Sequence, residues 1–351
     1  YFGYDNLHKW YTKIELAALD VLIDISVIKK EEAALLTPEI RQACLDIITS
    51  QVDTEERMVT KHDIGALRNE MKKVLPKELH RFVHIPMTSY DVVDTARPLM
   101  FKTAHNEIVN SKMKELLTIL SDMALKYSNT PQIGRTHGQH GVPITVGFWL
   151  ATILSRINNC FIQSNDSASK LCGKVSGPVG AYNAQYSSGI SSLCGEKTFE
   201  ERVLEKVGLK ASPISTQISQ PEPMANYLYS MVLLSGALAQ FGEDCRQLMR
   251  TEIGEIAESF EIGQVGSSTM AHKRNPINFE NICGTFIKNQ AEFTKVTGTL
   301  ISEHQRDLTG SPVARDYPII VINTMLQIET LLRKDKNGLT FLERIVIDEE
   351  A

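Results

Sequence analysis

Residues 224–249, "MANYLYSMVLLSGALAQFGEDCRQLM", are apolar over most of a helical circumference. A surface helix needs only one apolar stripe, so this segment predicts a helix with neighbours on several sides, at a bundle centre or in an oligomer core. Residues 278–305 and 317–334 read the same way, the first with Asn278 as candidate N-cap. In "HNEIVNSKMKELLTILSDMALKYS", Ile108, Met113, Leu116, Leu120 and Met123 form a single stripe at helical spacing. Alternating strand patterns are scarce, and Gly/Pro-rich punctuations such as "PQIGRTHGQHGVP" and "CGKVSGPVGAYNAQYSSG" separate the long segments. The fold class expected is all-α. Helices longer than about 25 residues in a soluble chain usually need partner helices, so oligomerisation is expected too.

Pro98 should interrupt the helical pattern, which places a boundary near residues 94–100. The expected organisation is a small N-terminal helical domain over 1–95 and an elongated long-helix bundle over 96–335. Both ends read as cut: no Met opens the chain, and "FLERIVIDEEA" closes it without a polar tail.

A net charge of -5 over 351 residues excludes a general nucleic-acid binder, because neutralising a phosphate backbone needs a broad excess of Lys and Arg. Any anion site must be local. Cysteines 44, 160, 172, 194, 245 and 283 show neither a CxxC pair nor zinc-type spacing, so they read as reduced packing residues in a cytoplasmic setting. No apolar run is long enough for a membrane span and no cationic-then-apolar leader opens the chain.

Four stretches combine turn residues with ionisable or hydroxyl side chains: "TKHDIGAL" (60–67), "VHIPMTSYDVVDTA" (83–96), "GRTHGQH" (134–140) and "GSSTMAHKRNPINFEN" (266–281). Lone histidines are more often structural than catalytic, and that reading applies to His8, His80, His105 and His304. In "GRTHGQH", Gly134 and Gly138 let the backbone approach a ligand and His137 point into a cleft, where imidazole suits proton transfer near neutral pH. A metal pair of His137 and His140 lacks an accompanying HExxH and a third ligand, so no metal is expected. In 266–281, Ser267 is a poor base unless an ammonium and backbone N–H groups stabilise its alkoxide, and Lys273 is the candidate for that charge. Arg135, His137, Lys273 and Arg274 together, in an acidic chain, imply a cationic cleft for a small polyanionic substrate. No GxGxxG or GxxxxGK[ST] marks a nucleotide cofactor.

"GSSTMAHKRNP" resembles the G-S-S-x-M-x-x-K-x-N signature loop of the fumarase/aspartase superfamily. With "GRTHGQH", "TSYDVVDTA", "KHD", "STQ" (215–217) and "RDLTGSPVAR" (306–315), it resembles the adenylosuccinate lyase family over almost the whole chain. The resemblance implies a mainly helical three-domain subunit, a homotetramer with a twenty-helix core, and active sites each shared by three subunits. Residues 336–351 would then begin a C-terminal domain that is truncated here. It also implies β-elimination of fumarate from adenylosuccinate, giving AMP, and from succinylaminoimidazole carboxamide ribotide, without metal or organic cofactor.

The family's catalytic base matches Ser267, its general acid His137, and a histidine that assists that acid or holds phosphate matches His62. Substrate contacts match His84, Thr88, Ser89, Thr136 and Gln217; carboxylate-binding groups match Lys273 and Asn275; a phosphate pair matches Ser311 and Arg315. Ser268 and Glu280 match supporting signature positions. Ala271 stands where the family usually has proline, and "TGSPVAR" departs from "HSSAER". The alternatives are an argininosuccinate lyase or carboxymuconate cycloisomerase of the same superfamily, and a non-catalytic helical scaffold. "RTHGQH", "KHD" and Arg315 favour a phosphorylated purine-type substrate, and the presence of both Ser267 and His137 speaks against a scaffold.

Overall fold

The structure, a computed structural model, describes residues 1–260, 263–270 and 272–349. Its longer helices are α1 (Leu7–Asp24), α2 (Asp63–Val74), α3 (Ser89–Ala104), α4 (Asn110–Lys126), α5 (Val146–Ser169), α6 (Phe199–Lys206), α7 (Glu222–Leu248), α8 (Ile277–Gly298) and α9 (Pro318–Leu332). Three two-stranded pairs accompany them among the described residues: β1 (Pro131–Thr136) with β2 (Gln139–Thr145), antiparallel; β3 (Cys172–Gly173) with β4 (Lys210–Ala211), parallel; and β5 (Ile256–Ala257) with β6 (Val346–Ile347), antiparallel. The class is all-α, as the periodicity requires.

Two compact units divide the chain. The first is Tyr1–Ala104, Ala168–Met224 and Thr299–Ser311; the second is His105–Ser167, Ala225–Gly298 and Pro312–Ala351.

In the first unit α1 packs on α3 and α6. Its core takes Ile14, Leu19 and Leu22 from α1, Ile64, Leu67 and Met71 from α2, Phe101 from α3, and Phe199, Val203 and Leu204 from α6, all buried. One ion pair is wholly enclosed. Lys174 Nζ lies 2.5 Å from Asp91 Oδ1 with both side chains at 0% exposure, and also donates to the Gly177 carbonyl at 2.7 Å. Asp91 Oδ2 accepts the Thr88 N–H at 2.8 Å and Oδ1 the Gly177 N–H at 3.1 Å. Thr88-x-x-Asp91 thus uses the acid half of a capping box to start α3. Removing either charge would strand the other in the interior, typically at about 3–5 kcal/mol. Pro98 does not interrupt the pattern as expected: α3 runs through it and its ring is buried. Packing on α1 offsets the lost hydrogen bond.

In the second unit α8 packs on α9, and α9 on α4. Met113, Leu116, Leu120 and Met123 are buried as expected, but Ile108, in the π-helical turn His105–Val109 that precedes α4, is 40% exposed. Polar groups link the helices inside this bundle. Asn323 Nδ2 donates to Asn289 Oδ1 at 3.0 Å, Asn289 Nδ2 to Thr324 Oγ1 at 3.1 Å, and Gln327 Nε2 to the Ile282 carbonyl at 2.8 Å. Residues 299–305 are not helical, because α8 ends at Gly298. Asn278 is not the N-cap either; it lies inside α8, and the cap comes from elsewhere in the chain. Glu258, 1% exposed, accepts the backbone N–H groups of Asn278 and Phe279 at 2.9 and 3.1 Å and Asn278 Nδ2 at 2.7 Å. A carboxylate on free N–H groups at the positive end of a helix is stabilised by both, whereas burial pushes its pKa up.

Candidate active site

Six of the sequence-derived site residues, His62, His84, Thr88, Ser89, Gln217 and Ser311, lie in the first unit. His62 caps α2: its Nδ1 accepts the Gly65 N–H at 3.2 Å. Nδ1 also lies 3.3 Å from Asp63 Oδ1, and the other ring nitrogen, Nε2, reaches Ser89 Oγ at 3.3 Å. "KHD" and "TSYD" are therefore one feature in three dimensions. Ser89 opens α3, where Asp91 fixes the first turn. His84, at φ 73°, is held differently. Its Nδ1 lies 2.6 Å from Glu15 Oε1, and Glu15 is at 0% exposure with no hydrogen-bond partner for Oε2 among the described residues. Glu15 was invisible in the sequence, one of three acids on α1 with no motif around it.

Gln217 and Ser311 meet through a residue that sequence reasoning passed over. Arg306 donates from Nη1 to Gln217 Oε1 at 2.7 Å and from Nη2 to Ser311 Oγ at 3.3 Å. Its guanidinium carbon lies 3.2 Å from the centroid of the Tyr90 ring, and the Tyr90 hydroxyl is 2.9 Å from Ser311 Oγ. The only available signal was that Arg306 opens the quoted segment 306–315. Gln217 is itself carried on a tight approach: a Cβ on Gly180, at φ +73°, would meet the Ser215 carbonyl oxygen at 2.0 Å. Only glycine lets these two backbones come so near.

Thr136, His137, Ser267, Ser268, Lys273, Asn275, Glu280 and Arg315 lie in the second unit. "GRTHGQH" is a β-hairpin rather than an open loop. Thr136 pairs with Gln139, leaving His137 and Gly138 as a two-residue turn, both with positive φ, 55° and 73°. That is the turn whose twist matches its strands, usually Asn-Gly. Histidine tolerates it better than most residues, and here it sets an exposed imidazole at the hairpin tip. The hairpin is braced at Glu255, whose Oε1 pairs with Arg135 Nη2 at 2.6 Å and whose Oε2 accepts Gln132 Nε2 at 2.9 Å. Three residues on, Glu258 caps α8, so the single segment 255–258 holds both the His137 hairpin and the helix after the signature loop.

The signature loop closes on itself. Asn275 Nδ2 donates to the Gly266 carbonyl at 3.1 Å, and a Cβ on Gly266 would stand 2.4 Å from the Lys273 carbonyl oxygen. Ser267, half-buried, accepts at Oγ from the Met270 N–H at 3.3 Å and, at the long distance of 3.5 Å, from the Thr269 N–H. Those are donors that an alkoxide would use. The Lys273 N–H donates to the Met270 carbonyl at 3.1 Å, and among the described residues no hydrogen bond joins Lys273 or His137 to Ser267. Ser268 and Glu280 are exposed, Glu280 in the first turn of α8; Arg315 is exposed after a short helix, Gly310–Ala314. Ala271 lies outside the described residues.

A family described as Lyase matches residues 15–288. The adenylosuccinate lyase of Pyrococcus horikoshii is 39% identical over 291 residues, covering 80% of this chain and 60% of that protein. That of Methanocaldococcus jannaschii is 33% identical over 86% of this chain and 64% of its own length, and that of Bacillus subtilis 30% identical over 95% and 73%. The chain therefore spans 60 to 64% of the length of the first two. Among solved structures, 3-carboxy-cis,cis-muconate lactonizing enzyme from Pseudomonas putida matches with a TM-score of 0.81 at 23% identity, over 99% of this chain and 75% of that one. A fumarate lyase from Mesorhizobium sp. matches with a TM-score of 0.79 at 18% identity, over the same shares. These two establish likeness of fold. With the family matched over most of its length, and relatives at 30 to 39% identity over 80% of it or more, the chain belongs to the lyase family, among the adenylosuccinate lyases.

Proposed function

We propose that the protein releases fumarate by β-elimination from adenylosuccinate, leaving AMP, and in the same way from succinylaminoimidazole carboxamide ribotide. The observation that carries this reading is the self-closed signature loop, in which Ser267 Oγ already faces amide donors. Ser267 removes the proton next to a succinyl carboxylate. The charge that develops is a dianionic aci-carboxylate, and the loop N–H groups, Lys273 and Asn275 stabilise it more than they stabilise the substrate. His137 protonates the departing nitrogen from the other face. His62 assists through Nε2, the ring nitrogen that reaches Ser89 Oγ. His84, Thr88, Ser89, Thr136 and Gln217 hold the substrate, and Ser311 and Arg315 take its phosphate. Arg306 joins them, since its Nη2 donates to Ser311 Oγ. Ser268 and Glu280 support the loop and the general acid. No step calls on a metal or organic cofactor.

The working form is a cytoplasmic homotetramer with sites shared between subunits. Apolar residues left in solvent support assembly: Ile287 on α8 is 65% exposed and Leu326 on α9 56%. Among the described residues no helix is long and apolar enough to cross a membrane. The curated relatives at 30 to 39% identity described above are adenylosuccinate lyases, whereas the lactonizing enzyme shares fold at 23% identity, which favours the purine substrate over the other superfamily reactions. The test is the absorbance change on mixing the intact protein with adenylosuccinate. No change there, with turnover of argininosuccinate or a carboxymuconate, reassigns the substrate; no turnover of any leaves a scaffold.

A further inference from the structure

We propose that Tyr90 is a positioning residue that sets the phosphate affinity of the site by holding Arg306 and Ser311 together. This rests on the functional reading above and adds a residue to it. Arg306 carries a flexible side chain with several rotatable bonds, and an unsupported guanidinium would have to be ordered by the ligand at a cost in affinity. Here three contacts order it beforehand: the ring of Tyr90 beneath it, Gln217 Oε1 at 2.7 Å and Ser311 Oγ at 3.3 Å. The Tyr90 hydroxyl is 2.9 Å from the same Ser311 oxygen. A single phenol therefore acts on both donors, seating the cation on its face and fixing the hydroxyl with its edge. The geometry suits an anion that takes both. A guanidinium fork and a hydroxyl side by side match the several oxygens of a phosphate ester. Tyr90 is half-buried on the first turn of α3, next to Ser89, so the turn anchored by Asp91 also fixes where the ring lies.

The two functions of the phenol can be separated. Tyr90→Phe keeps the face and loses the bond to Ser311; Tyr90→Leu loses both. Binding of AMP, which carries the phosphate, and of fumarate, which carries only carboxylates, is measured by titration calorimetry on the intact protein and both variants, beside adenylosuccinate turnover. Expected is a fall in AMP affinity of a few-fold for Tyr90→Phe and about tenfold or more for Tyr90→Leu. Fumarate affinity should stay the same and KM should rise more than kcat falls. A merely structural role would weaken both ligands together or lower kcat alone, and either outcome overturns the proposal. So does unchanged AMP affinity in Tyr90→Leu, or a parent protein that binds no AMP. Absence of adenylosuccinate turnover in a parent that binds AMP counts against the functional reading alone.

Discussion

At the scale of a residue, the question is how a serine hydroxyl becomes a base. Among the described residues no imidazole or carboxylate hydrogen-bonds to Ser267 Oγ; its partners are the Met270 and Thr269 N–H groups of its own loop. Such donors lower the cost of an oxyanion without supplying a proton acceptor, so they suit a group that acts as alkoxide. Ser267→Ala removes that oxygen and little volume. Turnover should fall at least a hundredfold, a barrier increase of about 3 kcal/mol, while KM changes little. Steady-state kinetics with adenylosuccinate measure this, and near-normal kcat would dismiss Ser267 as the base.

At the scale of the element, a buried imidazole decides how the start of α4 responds to acid. His105, at 0% exposure, sits in the π-helical turn before α4. Its Nε2 faces Asn165 Oδ1 at 3.3 Å, an orientation fixed because Asn165 Nδ2 donates to the Phe161 carbonyl, and its Nδ1 faces the Tyr227 hydroxyl at 3.3 Å. The neutral ring satisfies both, and burial holds its pKa down to about 4 from the usual 6.5. Between those values the unfolded chain binds a proton that the native one refuses. Stability therefore rises with pH across this window and is lost as pH falls through it, by about 3 kcal/mol in all. Urea midpoints at pH 4.5 and pH 7 should differ less in His105→Gln than in the parent, and equal differences would exclude His105 as the source. The sequence could classify His105 as structural but could not find its partners, which come from α5 and α7. The same limit applies elsewhere. Helical period located α4, α7, α8 and α9, but it placed the end of α8 seven residues late and named Asn278 as cap, since Glu258 is distant in sequence. The hairpin was hidden because glycines and polar residues in "GRTHGQH" break the alternation that marks strands. In the candidate site, motif-borne residues such as His62 and Ser267 could be named from the sequence. Glu15, Tyr90, Glu255 and Arg306 could not, because each gains its meaning from a partner that only the fold supplies.

At the scale of the whole molecule, the proposal that sites are shared makes a demand no single chain can meet. His137 stands at the tip of its hairpin and Ser267 in the signature loop, and among the described residues of one chain no hydrogen bond joins them. If an active site draws these groups from different subunits, a His137→Ala homotetramer and a Ser267→Ala homotetramer are both inactive, because every site in each lacks one group. Mixed tetramers differ. A site that takes its His137 from a Ser267→Ala subunit and its Ser267 from a His137→Ala subunit is complete. With equal and random mixing, each role is filled correctly half the time, so about a quarter of sites should be intact. Denaturing and refolding the two variants of the intact protein together, then assaying fumarate release, should return activity toward that fraction, and each variant refolded alone should stay inactive. The measurement also needs native mass spectrometry to show that hybrids form. Hybrid tetramers as inactive as their parents would mean that His137 and Ser267 act within one chain, and the hairpin and signature loop would then have to meet inside each subunit.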